Sequence, residues 1–170
     1  MQTNLCVILN VGRKHMRKIN ALLLDTSIPS AIYVLRAYAI QIVPVVLLGL
    51  LIYSLVGSNP AREIDSNGTL FKTLELLLLA PLFENALLIL LISLLGSIKE
   101  TSFRAFAAAL PFGMLHILGG PLGITAIWSF YVISMAYLAY SPQGKAKAYF
   151  ISVGVHSCTN LAPAFATLFL

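Results

Sequence analysis

Five apolar stretches, most of them near the roughly 20 residues that a helix needs to cross hydrocarbon, make up the bulk of this chain. They run from about Ala31 to Val56, Leu70 to Leu95, Ala105 to Leu118, Ile124 to Tyr140 and Ala148 to Leu170. Inside a bilayer no water reaches backbone N–H and C=O groups, so such a segment closes its own hydrogen bonds as a helix. Of the 170 residues, 59% are hydrophobic and only 10% are charged; a soluble domain is about 25% charged. The expectation is an all-α, polytopic membrane helix bundle with about five transmembrane helices. Residues 31–170 are expected to form one transmembrane domain, and residues 1–30 a basic cytoplasmic or interfacial lead-in.

The charges orient these spans. Taken loop by loop, one side collects Arg13, Lys14, Arg17, Lys18, Lys99, Arg104, Lys145 and Lys147, and the other holds Arg62 and Lys72. Basic loops stay in the cytoplasm, so the N-terminus is expected there and, after five crossings, the C-terminus outside. Arg36, near the cytoplasmic end of the first span, can snorkel to the interface. The net charge of +5 therefore reads as a topology signal. No basic stripe interleaved with aromatics is present, which argues against nucleic acid as a partner. Cys6 and Cys158 offer neither a disulfide framework nor a CxxC metal site. The short run LCVIL precedes its basic cluster, the reverse of a signal peptide. Asn67-Gly68-Thr69 fits a glycosylation sequon on the outer side.

Polar groups at membrane depth point to a site. Glu84 and Asn85 lie inside LLLLAPLFENALLILLISLL, His116 inside AALPFGMLHILGG, and His156 with Asn160 inside YFISVGVHSCTNLAPAF. An ionisable side chain there is expensive, so these groups are expected to face one another around a cavity. Residues four apart share a helix face, which pairs His156 with Asn160 and Phe112 with His116. Glu84 and Asn85 diverge by about 100°, so one of them is expected to face the cleft and the other a neighbouring helix. Pro81, Pro111 and Pro163 accompany the three segments. Each frees a backbone carbonyl, which is tolerated where the backbone lines a cavity.

In order and spacing these residues resemble the CPBP intramembrane proteases, which include CAAX prenyl endopeptidases and bacteriocin-processing enzymes. That family carries a glutamate pair opening EExxxR, then FxxxH, then HxxxN or HxxxD, each on its own membrane helix. Here the first motif reads Glu84-Asn85-Ala86-Leu87-Leu88-Ile89, the second Phe112-Gly113-Met114-Leu115-His116, and the third His156-Ser157-Cys158-Thr159-Asn160. The second glutamate is replaced by Asn85 and the arginine by Ile89. The resemblance covers about Leu70 to the end and implies Glu84, His116, His156 and Asn160 as the reaction centre, lined by Asn85 and Phe112. It also implies a bacterial inner (plasma) membrane and a membrane-embedded or lipidated peptide or protein substrate.

The expected reaction is peptide hydrolysis without a cofactor. Glu84 is the general base, His116 orients the water, and His156 and Asn160 donate to the oxyanion. Zinc held by Glu84, His116 and His156 is the mechanistic rival. It would leave no carboxylate as base, because Asn85 cannot ionise and Glu75 faces away. Two further classes fit the same residues. One is a small proton-coupled transport module, since intramembrane Glu and His relay protons. The other is an inactive relative acting as a binding, immunity or chaperone-like membrane protein.

Overall fold

The computed structural model describes residues 14–56 and 69–169, and every regular element among them is helical. Cys6, Arg13, Arg62 and the Asn67-Gly68 part of the sequon lie outside the described residues. Helix α1 covers residues 14–24 and α2 Ser30–Val56. Next, α3 (Thr69–Leu74), a π-helical turn (Glu75–Leu79) and α4 (Ala80–Leu94) form one continuous rod. After α5 (Thr101–Ile117), a 3-10 turn at Pro121–Ile124 leads into α6 (Thr125–Tyr140). A second 3-10 turn, Ser141–Gln143, precedes α7 (Lys145–Thr159) and α8 (Leu161–Phe169).

Three rods are long and apolar enough to cross a membrane, Ser30–Leu55, Phe71–Leu94 and Pro121–Gln143, and they make this an integral membrane protein. The remaining two expected spans are shorter. Helix α5 has 17 residues, and the last stretch divides at Asn160 into helices of 15 and 9 residues. The break has a local cause: Pro163 has no N–H to offer the Thr159 carbonyl, and the Asn160 side chain is drawn to another helix.

Helix α6 is the axis of the molecule. Every residue from Ser129 to Tyr137 is buried, with α5, α7 and α2 packed around it. It is apolar all round, as suits a helix enclosed by others. Helices α2 and α4 instead expose Leu35, Leu47, Leu51, Leu87 and Leu90. So large an apolar surface is a liability in water and is compatible with hydrocarbon. Gly113 lets α5 lie directly on α6, because a Cβ there would come within 2.1 Å of Ile127 Cγ1. Close approach at small residues is how membrane helices gain packing energy.

The α1–α2, α4–α5 and α6–α7 connections meet at one end. Asn20 Nδ2 donates to Ser102 Oγ (2.8 Å), Gln143 Nε2 to Thr26 Oγ1 (2.8 Å), and Tyr33 packs edge-on against Tyr140 with centroids 4.8 Å apart. Lys14, Arg17, Lys18, Lys99, Arg104, Lys145 and Lys147 all belong to elements at or near this end. Arg104 turns back to the end of α4, donating Nε and Nη2 to the Ile92 carbonyl at 2.9 and 2.7 Å. Arg36 pairs with Asp25 at 3.1 Å.

Candidate active site

The site begins with a proline. In the π-helical turn the Ala80 N–H reaches back five residues to the Glu75 carbonyl. The next donor in that series would be Pro81, which has no N–H, so Leu76 O is left over. Asn160 Nδ2 supplies the missing bond at 2.8 Å. Asn160, expected at the reaction centre, thus uses at least one amide hydrogen to fasten the end of α7 to the turn below Glu84. Turns of this type recur at functional sites because they rotate the following residues relative to a regular helix.

Above that anchor, α4 and α7 are joined by a polar seam. Tyr149, Ser152 and His156, three and four residues apart, share the face of α7 that meets α4. Tyr149 Oη donates to Leu82 O at 2.8 Å. Asn85, fully buried, bonds to Ser152 Oγ at 3.2 Å and to His156 Nδ1 at 2.9 Å. Glu84 Oε2 stands 3.6 Å from His156 Nε2. Neighbouring residues of α4 therefore engage the two nitrogens of one imidazole. As expected of residues about 100° apart, Glu84 lines the groove while the fully buried Asn85 faces the neighbouring helix α7.

The seam has a direction. The Tyr149 carbonyl can only accept, so it takes the one Ser152 hydroxyl hydrogen at 2.8 Å. Ser152 Oγ then accepts from Asn85 Nδ2. That orientation leaves Asn85 Oδ1 to accept from His156 Nδ1–H, and the neutral imidazole presents its Nε2 lone pair to Glu84. His156, 5% exposed, is in this state an acceptor toward Glu84 and gains a donor there only on protonation. The oxyanion-donor role expected of it does not fit the neutral ring.

Glu84 also opens outward. Its side chain is 32% exposed and lines an open groove of about 720 Å³ together with Leu87, Phe112, Leu115, His116 and the Gly119–Gly123 turn. His116 lies on the rim, and its Nδ1–H donates to the Phe112 carbonyl (2.8 Å), which turns the Nε2 lone pair away from the backbone. The turn is shaped by glycines at two points. Gly120 has φ 136°, and a Cβ on Gly123 would fall 2.1 Å from the His116 carbonyl oxygen. Phe112 is buried under the groove, its ring 4.7 Å from that of Phe130.

Sequence reasoning missed Phe130 and Ser152. The Phe130 ring lies 5.3 Å from both His116 and His156, a wedge that spaces the two imidazoles. Nothing in the largely apolar α6 sequence marks Phe130. Ser152 carries a weak signal, sitting one turn before His156.

Chemically, the arrangement offers one carboxylate and two imidazoles whose Nε2 atoms carry lone pairs when neutral. They can take a proton from water and pass it on. Both imidazoles also have partners on Nδ1, as metal-binding histidines do. Among the described residues, however, no three His, Cys, Asp or Glu side chains cluster as ligands for a metal ion. Comparisons with family models, curated proteins and solved structures find no match to this chain.

Proposed function

We propose that this protein is an intramembrane endopeptidase of glutamate type, similar to the CPBP family. It would hydrolyse a peptide bond of a membrane-associated substrate such as a lipidated terminus or a C-terminal sorting segment. One observation carries the reading: Glu84 faces His156 at 3.6 Å while lining the groove that His116 rims. Placing a carboxylate within an apolar rod and two imidazoles in the last turns of apolar helices is expensive, and a passive bundle has no use for them.

In the proposed reaction a groove water gives its proton to Glu84 and adds its oxygen to the scissile carbonyl carbon. His116 accepts the second water hydrogen at Nε2 and so orients the attack. The Glu84 proton is shared with His156 Nε2, then passes to the leaving nitrogen as the C–N bond breaks. Asn85 and Ser152 hold His156, and Asn160 holds the turn beneath Glu84. No metal takes part in this scheme. The short α5 and the α7–α8 pair would complete five crossings of a bacterial plasma membrane, with the basic end in the cytoplasm.

The test compares peptide termini of membrane proteins from cells carrying the wild type or Glu84→Gln. New termini present only with the wild type are expected, and His116→Ala should remove them too. Identical terminal profiles would sink the protease reading. Loss of cleavage on chelation, restored by zinc, would replace the metal-free scheme with the metal-bound one.

A further inference from the structure

Helix α4 has a second occupied flank. A crevice of about 500 Å³ lies between α4, α6 and α7, toward the end where the basic residues gather. Along α4 it runs from Ala86 past Ile89 and Leu90 to Ser93, a length of roughly 10 Å. Glu84 and Leu87 line the groove instead, and Glu84 is turned about 160° around the helix from Ala86. The crevice and the groove therefore share a helix and no residue. Leu90 and Phe150, both more than half exposed, form the apolar rim that opens sideways toward hydrocarbon.

The polar groups of this crevice divide into satisfied and unsatisfied donors. Tyr149 and Ser93 are satisfied, their hydroxyls donating to the Leu82 and Ile89 carbonyls, each at 2.8 Å. Tyr137 is 6% exposed, yet among the described residues its hydroxyl has no hydrogen-bond partner. The ammonium of Lys145, the one charged side chain of the lining, has none there either. Lys147, in the same turn, is occupied by Gln143 Oε1 at 2.7 Å and by the Tyr140 ring. Lys145 also opens α7, and its cap residue, Gly144, has no side chain to offer. The first N–H groups of α7, including that of crevice-lining Ala146, therefore lack an intrahelical acceptor. Helices α6 and α7 contain no acid, and the single acid of α4 is Glu84, in the groove. A nine-tenths buried phenol, an ammonium and a helix N-terminus, all without acceptors, suit an anion.

We propose that this crevice binds one anionic glycerophospholipid, with its phosphate at Lys145, the Tyr137 hydroxyl and the start of α7, and an acyl chain along Ile89, Leu90 and Phe150. Basic clefts between membrane helices suit such headgroups. The crevice offers donors and a cation but no carboxylate for a choline, so it favours phosphatidylglycerol over phosphatidylcholine. The site is independent of any peptidase activity.

The chain has a single tryptophan, Trp128, outside this crevice, so Trp128→Phe with Phe150→Trp moves the fluorophore to the crevice rim. This full-length parent is reconstituted into phosphatidylcholine vesicles and titrated with phosphatidylglycerol or phosphatidylcholine carrying brominated acyl chains, which quench tryptophan on contact. Brominated phosphatidylglycerol should reach half-maximal quenching at about fivefold lower mole fraction, the equivalent of one cation. Tyr137→Phe, which keeps the ring and its packing, and Lys145→Gln should each reduce that preference and together bring the two lipids to parity. Lys147→Gln, a cation of the same turn with its own partners, should leave the preference intact. Native mass spectrometry of the unaltered chain from mixed micelles checks the site without the tryptophan exchange: phosphatidylglycerol should stay bound, and Tyr137→Phe with Lys145→Gln should release it. Equal quenching by both lipids in the parent would reduce the site to ordinary boundary lipid and overturn the proposal. So would loss of preference in Lys147→Gln, or relief of quenching by soluble glycerol 3-phosphate, which would assign the site to a free phosphate.

Discussion

His156 is held from two sides by groups of opposite kind, an amide oxygen on Nδ1 and a carboxylate beside Nε2. Its tautomer is consequently a measurable property of the site, whatever reaction the site performs. Nitrogen-15 NMR of histidine-labelled protein should find His156 neutral with the proton on Nδ1. Asn85→Leu removes that acceptor, and the proton should move to Nε2, toward Glu84; an Nε2–H form already in the wild type would refute the seam's direction. Leaving Nδ1–H and Ser152 without their partner should also lower stability by about 1–3 kcal/mol. Outside the membrane, Asp25 gives a pH signature. The Ser27 hydroxyl, then the Ser27 N–H and the Arg36 guanidinium, hold its carboxyl below the usual 3.8, at about 2. A group whose pKa is depressed on folding stabilises above its unfolded value and loses that contribution as pH falls through the folded one. Asp25→Asn should therefore lower the thermal midpoint at pH 7, and the gap to wild type should close between about pH 4 and pH 2. The carboxylate is exposed, so the shift is small.

At the level of elements, the junction of the π-helical turn, α4 and the end of α7 rests on one exchange. Pro81 withholds a donor from Leu76 O, and Asn160 provides one from another helix. Interhelical hydrogen bonds in membranes contribute about 0.6–2 kcal/mol, and Asn160→Ala should destabilise the protein by that amount in a detergent unfolding assay. Pro81→Ala restores a backbone N–H, so the double variant should lose less than the sum of the single changes. Strict additivity would show that the two residues do not share the Leu76 carbonyl. The same exchange explains why a stretch that reads as one span from Ala148 onward breaks at Asn160.

Across the whole molecule, the basic residues gather where the helix connections meet, while Lys72 lies on α3 at the start of its rod. Single-cysteine variants at Lys18, Lys99 and Lys145, made after replacing Cys6 and Cys158, should react with an impermeant maleimide from the same side of a sealed vesicle. A cysteine at Lys72 should react from the opposite side. Labelling of Lys99 and Lys145 variants from different sides would break the bundle topology. The packing around α6 gives the reason for this arrangement. With α2, α5 and α7 all in contact with one apolar axis, the polar ends of neighbouring helices are forced into register.

Helix formation, membrane residence and the identity of the polar residues at depth were all legible in the chain. Hydrocarbon leaves a backbone no alternative to a helix, and a buried carboxylate or imidazole stands out against leucine. The boundaries of the first four spans agree with α2, the α3–α4 rod, α5 and α6 to within a few residues. What each polar residue touches was decided elsewhere. Whether Asn85 faces the cleft or another helix, whether Asn160 meets substrate or Leu76, and how Phe130 spaces two histidines depend on the rotation and depth at which α4, α6 and α7 meet. Those quantities are set by side-chain packing between distant segments and by a proline that shifts a hydrogen bond by one residue. Periodicity within a single helix carries neither.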